Sequence, residues 1–215
     1  THKGAESLLT GKMRTGSPGN RTEAEHKAFQ ALDEEIEPGI TWDSVTTDKN
    51  TAQQQIASML ASHLIHIAPQ VKPIALEQRF YLEIEDGFCL SGTLDVLEID
   101  TLRDLKTGKL QRQNLFQYGA YKLLAEYNGH PISAIKEDYI PRTMVPTPET
   151  IDISTHNAEC ETRRLLKHIP KAIQEFREDP DKDPGAFNAN PHSMLCSETF
   201  CPAWGTAWCS AWKPS

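Results

Sequence analysis

Three short strand-like segments near the middle of the chain constrain its fold most. Residues 76–85 and 88–98 alternate with a period of two, and Asp86-Gly87 between them is a strong signal for a hairpin turn. A third run, 102–106, follows within a few residues. These runs predict three consecutive antiparallel strands. On the second strand, one face is predicted to carry Phe88, Leu90, Gly92, Leu94 and Val96.

Segments with helical spacing of apolar residues lie on both sides of these strands. Helices are predicted over 22–36, 49–67, 111–127 and 155–177, with one further strand over 134–140. Thr22, with Glu25 three residues later, is the predicted start of the first helix. Pro170 is expected to kink or split the last helix, and residues 1–21 are predicted to form a loop or an adaptable arm. The order of elements predicts an α/β fold, a single domain over 1–215 with a mixed central sheet flanked by helices.

The charge of the chain argues against one class of protein. The formal net charge is -8, whereas a protein that coats nucleic acid is normally basic. Residues 101–124 are a local exception, because they carry Arg103, Lys106, Lys109, Arg112 and Lys122 against Asp104 alone. This tract could bind an anion, or it could be an ordinary solvated surface. No apolar run is long enough to span a membrane and no secretory signal is visible, so we expect a cytoplasmic protein without a membrane partner.

Charged residues on the second and third predicted strands define a candidate site. Asp104 and Lys106 are two residues apart, so their side chains share one face of a strand. If the two strands form a tight hairpin that turns between Ile99 and Asp100, then Asp95 lies opposite Asp104 and faces the same side. We therefore expect Asp95, Asp104 and Lys106 to converge.

Two carboxylates held this close repel each other unless a cation lies between them. Oxygen ligands on a rigid sheet suit Mg²⁺ or Mn²⁺. A neighbouring lysine can polarise an attacking water and offset the charge that develops on a phosphate. The alternative is an Asp/Lys pair on a solvated strand face, because Asp-x-Lys is a common pattern.

Several motifs in a fixed order give the chain a resemblance to a known family. Gly92-Thr-Leu-Asp95 matches a G-x-x-D motif, and Asp104-Leu-Lys106-Thr-Gly-Lys109 matches D-x-K-T-G-K. Gln117-Tyr-Gly-Ala-Tyr121 matches a Q-x-x-x-Y motif on the following helix. Together with Thr22-Glu-Ala-Glu-His26 and Leu76-Glu77, these segments resemble the PD-(D/E)XK nucleases, and among them the RecB-like branch of phage exonucleases and CRISPR-adaptation nucleases. The resemblance implies a restriction-endonuclease-like core.

The resemblance also implies roles for individual residues. The implied metal ligands are His26, Asp95, Asp104 and the backbone carbonyl of Leu105. The implied catalytic residues are Asp95, Asp104, Lys106, Gln117 and Tyr121. Because Gln117 and Tyr121 are four residues apart, they share one helix face and could order the site or contact the DNA backbone. Glu77 is expected to support the site or to bind metal, and an imidazole ligand would favour Mn²⁺ over Mg²⁺.

The C-terminal tail, 185–215, contains three closely spaced cysteines, Cys196, Cys201 and Cys209. An odd total of five cysteines argues against a disulfide framework, and thiolates this dense usually bind metal. The tail resembles that of RecB-like members with a 4Fe-4S cluster, and Zn²⁺ is the alternative. The fourth ligand would be Cys160, His192, a residue upstream of Thr1, or none. A Trp-rich tail that packs on the core with free thiols is also consistent with the sequence.

The predicted function is hydrolysis of DNA by a metal-activated water, and the resemblance favours an exonuclease in recombination, repair or phage DNA metabolism. DNA ends or single strands would be the substrate, with Arg103, Lys109 and Arg112 contacting phosphates. A recombinase, a helicase or another DNA-processing protein would be the partner. The alternatives are a non-catalytic DNA-binding module that kept the fold and a structural or adaptor subunit.

Overall fold

The computed structural model describes residues 1–36, 39, 41–84, 87–111 and 113–178. The strands in this part of the chain are β1 (Ala75–Ile84), β2 (Phe88–Leu97), β3 (Thr101–Gly108), β4 (Ala134–Pro141) and β5 (Glu149–Ile153). The α-helices are α1 (His2–Thr15), α2 (Arg21–Ile36), α3 (Lys49–Ser62), α4 (Leu115–Tyr127) and α5 (Thr155–Glu178), and a short π-helix spans His63–Ile67.

The chain divides into two compact units, residues 1–162 and residues 163–215. The first unit contains the whole sheet and the helices α1 to α4. Of the second unit, the structure describes residues 163–178, which belong to α5. No helix within the described residues is both long enough and apolar enough to cross a lipid bilayer.

The five strands form one mixed sheet in the order β1-β2-β3-β4-β5. The pairs β1/β2, β2/β3 and β4/β5 are antiparallel, whereas β3 and β4 are parallel and are connected through α4. Val96 pairs with Arg103 and Leu97 with Leu102, which is the predicted hairpin register. The prediction of an α/β fold with a mixed central sheet is therefore confirmed. Strand β5 was not predicted, because it is short and follows directly on a segment rich in proline.

Two hydrophobic clusters cover the two faces of this sheet. In the first cluster, residues of α1, α3 and the π-helix pack on Leu105 and Ile140. In the second cluster, Tyr118 and Leu124 of α4 pack on Leu102 of the same strand β3. Leu102 and Leu105 are three residues apart on β3, so their side chains point to opposite faces of the sheet. Helices therefore lie on both faces, and burial of their apolar sides stabilises the three layers.

Strands β1 and β2 change face part-way along their length. Leu94 belongs to the second cluster and Val96 to the first, although a regular strand would place both on one face. The prediction that these two residues share a face is therefore wrong. On β1, Leu76 packs with the first cluster and Phe80 with the second, which is the same change at the adjoining position.

The change of face occurs at one residue on each strand. Leu76 pairs with Val96 and Gln78 with Leu94, so the interrupted position on β1 is Glu77, which lies opposite Asp95. Glu77 has a φ of 48°, and such a left-handed conformation costs a residue other than glycine about 1–2 kcal/mol. The backbone break therefore coincides with two of the carboxylates that sequence analysis singled out.

The N-terminal segment is helical, which corrects the prediction of a loop over residues 1–21. Glycines suggested a loop, but in α1 they permit close packing instead. A Cβ atom at Gly4 would lie 2.7 Å from Leu60 of α3, and one at Gly11 would lie 2.3 Å from the Cα atom of Gly19. Helix α1 ends at Gly16, whose φ is 79°.

The other helices follow the predictions with shifted ends. Helix α2 begins at Arg21 and is capped by Asn20, which accepts a hydrogen bond from the Glu23 backbone, rather than by Thr22. The helix predicted over 49–67 consists of α3 and the π-helix, and α5 continues through Pro170 as one helix.

Candidate active site

A network of four polar side chains joins strand β3 to helix α4, and we call it the lysine network: Asp104, Lys106, Gln117 and Tyr121. The Nζ atom of Lys106 lies 2.7 Å from Oδ2 of Asp104 and donates to Oε1 of Gln117 at 3.2 Å. The Nε2 atom of Gln117 donates to the hydroxyl of Tyr121 at 2.9 Å and to Oδ1 of Asp104 at 3.4 Å. The amide of Gln117 thus fixes both the lysine and the tyrosine.

Local sequence determines how α4 presents this network. Asn114 caps the helix by accepting a hydrogen bond from the backbone of Gln117. A Cβ atom at Gly92 would lie 2.9 Å from Cε1 of Tyr121, and one at Gly119 would lie 2.2 Å from the carbonyl oxygen of Ala158. The glycine of the G-x-x-D motif therefore makes room for the tyrosine of the Q-x-x-x-Y motif.

Three potential metal ligands converge beside the lysine network, and we call them the ligand group: His2, Glu77 and Asp95. One ligand atom from each lies within 4.8 Å of the other two. The Nδ1 atom of His2 is 3.6 Å from Oδ2 of Asp95, and the same oxygen accepts a 2.8 Å hydrogen bond from the backbone N–H of Leu105. Helix α1 and the break in β1 and β2 bring these residues together.

The carboxylates of the site are poorly solvated and repel one another. Burial raises the pKa of Asp95. Burial, and then the charge of Asp95, raises the pKa of Asp104 to about 6, against the opposing effect of Lys106. Burial, followed by the charge of Asp95, also raises the pKa of Glu77. A site that disfavours its own negative charges in this way gains from a bound cation.

The ligand group fits a divalent cation. An imidazole nitrogen and carboxylate oxygens bind such ions at about 2.0–2.2 Å, so ligand atoms on one ion lie no more than about 4.4 Å apart. The mutual distances of up to 4.8 Å in the ligand group require only small side-chain adjustments. Oxygen-rich sites with one imidazole suit Mn²⁺ and Mg²⁺.

The structure brings together most of the predicted site residues, but not His26. Asp95, Asp104, Lys106, Gln117 and Tyr121 meet at one place. His26 lies exposed on α2 and outside the ligand group, whereas His2 belongs to it. His2 was overlooked because residues 1–21 were interpreted as a loop; the helical spacing of Ala5, Leu8 and Leu9 was the available signal. A ligand role for the carbonyl of Leu105 stays a prediction.

The basic tract of residues 101–124 is less available to DNA than predicted. Arg103 is 5% exposed, and its guanidinium donates to both carboxylate oxygens of Asp138 at 2.7–2.8 Å. The prediction that it contacts phosphate is therefore wrong. Lys122 is also buried and paired with acidic neighbours, whereas Lys109 is exposed. Arg112 and the three tail cysteines, Cys196, Cys201 and Cys209, lie outside the described residues.

Comparison with known proteins supports a nuclease-like fold. No protein-family model matches the sequence, and no curated protein is similar enough to serve as a relative. The fold is similar to the crystal structure of a candidate exonuclease from Eubacterium rectale, with a TM-score of 0.55 over 89% of this chain and 73% of that chain. Sequence identity is 12%, so the likeness concerns the fold alone.

Proposed function

We propose that the protein is a metal-dependent deoxyribonuclease of the RecB-like branch of PD-(D/E)XK nucleases, and that it acts as an exonuclease. The observation that carries this proposal is that Lys106 lies 2.7 Å from Asp104 and is held by Gln117, with Asp95 near enough for its charge to raise the pKa of Asp104. A nuclease-like fold and the motif resemblance support the same conclusion.

Each side chain has a distinct task in this proposal. His2, Glu77 and Asp95 hold Mg²⁺ or Mn²⁺ with Asp104 beside them, and the bound ion supplies Lewis-acid stabilisation of charge on the phosphate. Lys106 is 29% exposed in its side chain, so it can reach a water or a phosphate oxygen while Asp104 and Gln117 fix its position. Its positive charge orients the attacking water and offsets the developing negative charge.

The experiment that tests this function uses end-labelled linear DNA, both single- and double-stranded, and a closed circular DNA of the same sequence. We expect the linear substrates to be degraded in Mg²⁺ or Mn²⁺ and to stay intact in EDTA, whereas the circle resists. Lys106→Met should abolish the activity, and Lys72→Met, at an exposed lysine outside the site, serves as the matched control. Metal-dependent binding without cleavage would instead identify a non-catalytic DNA-binding module.

The proposal extends to the tail, to cellular location and to partners. Cys196, Cys201 and Cys209 would hold a 4Fe-4S cluster, or Zn²⁺ together with His192, and iron and zinc analysis of protein purified without oxygen distinguishes the two. If the analysis finds neither iron nor zinc at about one site per chain, the tail carries free thiols. A cytoplasmic enzyme working with a recombinase or helicase is the corresponding cellular role.

A further inference from the structure

His63 is a buried histidine without a complete set of hydrogen-bond partners. It is the first residue of the π-helix and is 2% exposed. Among the described residues, none makes a hydrogen bond to its Nδ1 atom. Buried polar atoms in folded proteins nearly always have a partner, either a protein group or an ordered water. This nitrogen therefore requires an explanation.

A narrow cavity separates His63 from the ligand group. The polar residues that line it include His63, His2, Glu77, Asp95, Arg103 and Asp138. The cavity offers about 20 Å³ to a water molecule, and about 10–15 Å³ suffices for one. His63 lines the cavity from the start of the π-helix, and the backbone N–H of Ala68 donates to the His63 carbonyl oxygen to close that wider turn.

The groups around the cavity favour a neutral occupant. Asp138 is engaged by Arg103 and by the hydroxyl of Thr150 at 2.6 Å. Asp138 already neutralises the guanidinium of Arg103, and the carboxylates of Glu77 and Asp95 disfavour an anion, so a space of about 20 Å³ suits a water molecule. Water can donate to the carboxylates and also satisfy the imidazole. Burial lowers the pKa of His63 to about 4, which is consistent with a neutral ring.

We propose that one buried water molecule occupies this cavity and links His63 Nδ1 to the carboxylates of Glu77 and Asp95. His63 is then a positioning residue, which orients Glu77 and Asp95 through this water. This inference rests on the proposed metal site. Outer partners of metal ligands typically contribute about 10–100-fold to metal affinity.

Calorimetric titration of the metal-free protein with Mn²⁺ tests the link without using activity. His63→Leu removes the hydrogen-bonding nitrogen at similar volume and should weaken Mn²⁺ binding about tenfold. His63→Asn places an amide close to the position of Nδ1 and should recover most of the affinity. His66→Leu, an exposed histidine of the same π-helix, is the matched control and should bind Mn²⁺ like the wild type.

The outcomes separate this inference from the proposed function. If Asp95→Asn loses Mn²⁺ binding while His63→Leu binds as tightly as the wild type, the water link is wrong and the metal site stands. If Asp95→Asn also binds normally, the metal site itself is wrong. Should His63→Leu fail to fold, a crystal structure of the wild type decides, because an empty cavity overturns the proposal and an ordered water supports it.

Discussion

The ligand group and the lysine network lie side by side but are constructed differently. The lysine network uses regular spacing, two residues on β3 and four residues on α4. The ligand group joins three segments that are distant in sequence, and it depends on a residue with a φ of 48°. Residue spacing in a regular strand or helix predicts which side chains converge, whereas no spacing rule predicts a backbone break. The two halves should also fail in different ways when mutated.

The largest effect is expected from Asp95→Asn in the ligand group. The change removes a negative metal ligand but keeps an acceptor for the Leu105 N–H. We expect cleavage to fall by at least about 10⁴-fold, equivalent to about 5 kcal/mol in the barrier, and Mn²⁺ binding to be lost in calorimetry. Circular dichroism provides the control for folding. Cleavage within tenfold of wild type would place the metal elsewhere.

Lys106→Met in the lysine network should lose cleavage but retain the metal. The ammonium group orients the nucleophile and stabilises charge in the transition state, and such groups contribute about 10²–10³-fold. Mn²⁺ affinity should stay within about threefold of wild type, because Lys106 is not a ligand. If the variant loses metal binding together with cleavage, the ligand group and the lysine network act as a single unit.

Most of the fold could be predicted because hydrophobic period, turn signals and strand spacing are local. The hairpin register followed from the short connection between β2 and β3 and was confirmed. The prediction missed the N-terminal helix, because Gly4 and Gly11 usually mark loops and outweighed the helical spacing of Ala5, Leu8 and Leu9. Here the two glycines allow close contact with α3 and with Gly19, and only the tertiary structure reveals this.

As with the fold, most but not all of the candidate site could be predicted from the sequence. Strand spacing placed Asp104 and Lys106 on one face, and the motif resemblance identified Gln117 as a partner of the site. Glu77 was recognised as a candidate, but its left-handed conformation has no sequence signal. Arg103 looked like a phosphate contact because sequence spacing does not show that Asp138, 35 residues later, neutralises it.

Asp104 should make the stability of the metal-free protein depend on pH. Its folded pKa of about 6 exceeds the ordinary value of 3.8, so the cost of ionising Asp104 in the fold grows between pH 3.8 and pH 6 and is complete above pH 6. Asp104→Asn should therefore be more stable than wild type by about 2–3 kcal/mol at pH 7.5. Urea unfolding in EDTA should show the difference shrinking towards pH 4.5. A difference independent of pH would contradict the raised pKa of Asp104.

His2→Ala and His26→Ala form a matched pair that tests the ligand group directly. His2 belongs to the group, whereas His26 lies exposed on α2. Loss of one imidazole ligand should weaken Mn²⁺ binding by about tenfold or more, and Mg²⁺ binding by less, because nitrogen ligands favour Mn²⁺. His26→Ala should bind both ions like wild type. If calorimetry shows weakened binding in His26→Ala and normal binding in His2→Ala, His26 is the metal ligand, as the sequence motif indicated.

The smallest effect is expected from Gly92→Ala, which perturbs the lysine network without touching a ligand. The added methyl group would lie 2.9 Å from Tyr121 and 3.1 Å from Leu124, so the tyrosine ring must move by a few tenths of an ångström. Because Gln117 donates to the Tyr121 hydroxyl, this shift should reach Lys106 and lower cleavage about threefold, with Mn²⁺ affinity unchanged. Tyr121→Phe keeps the ring and removes the hydroxyl, so it separates the hydrogen bond from the crowding. If Gly92→Ala instead weakens Mn²⁺ binding, the G-x-x-D glycine acts on Asp95, and the two halves of the site are coupled through β2.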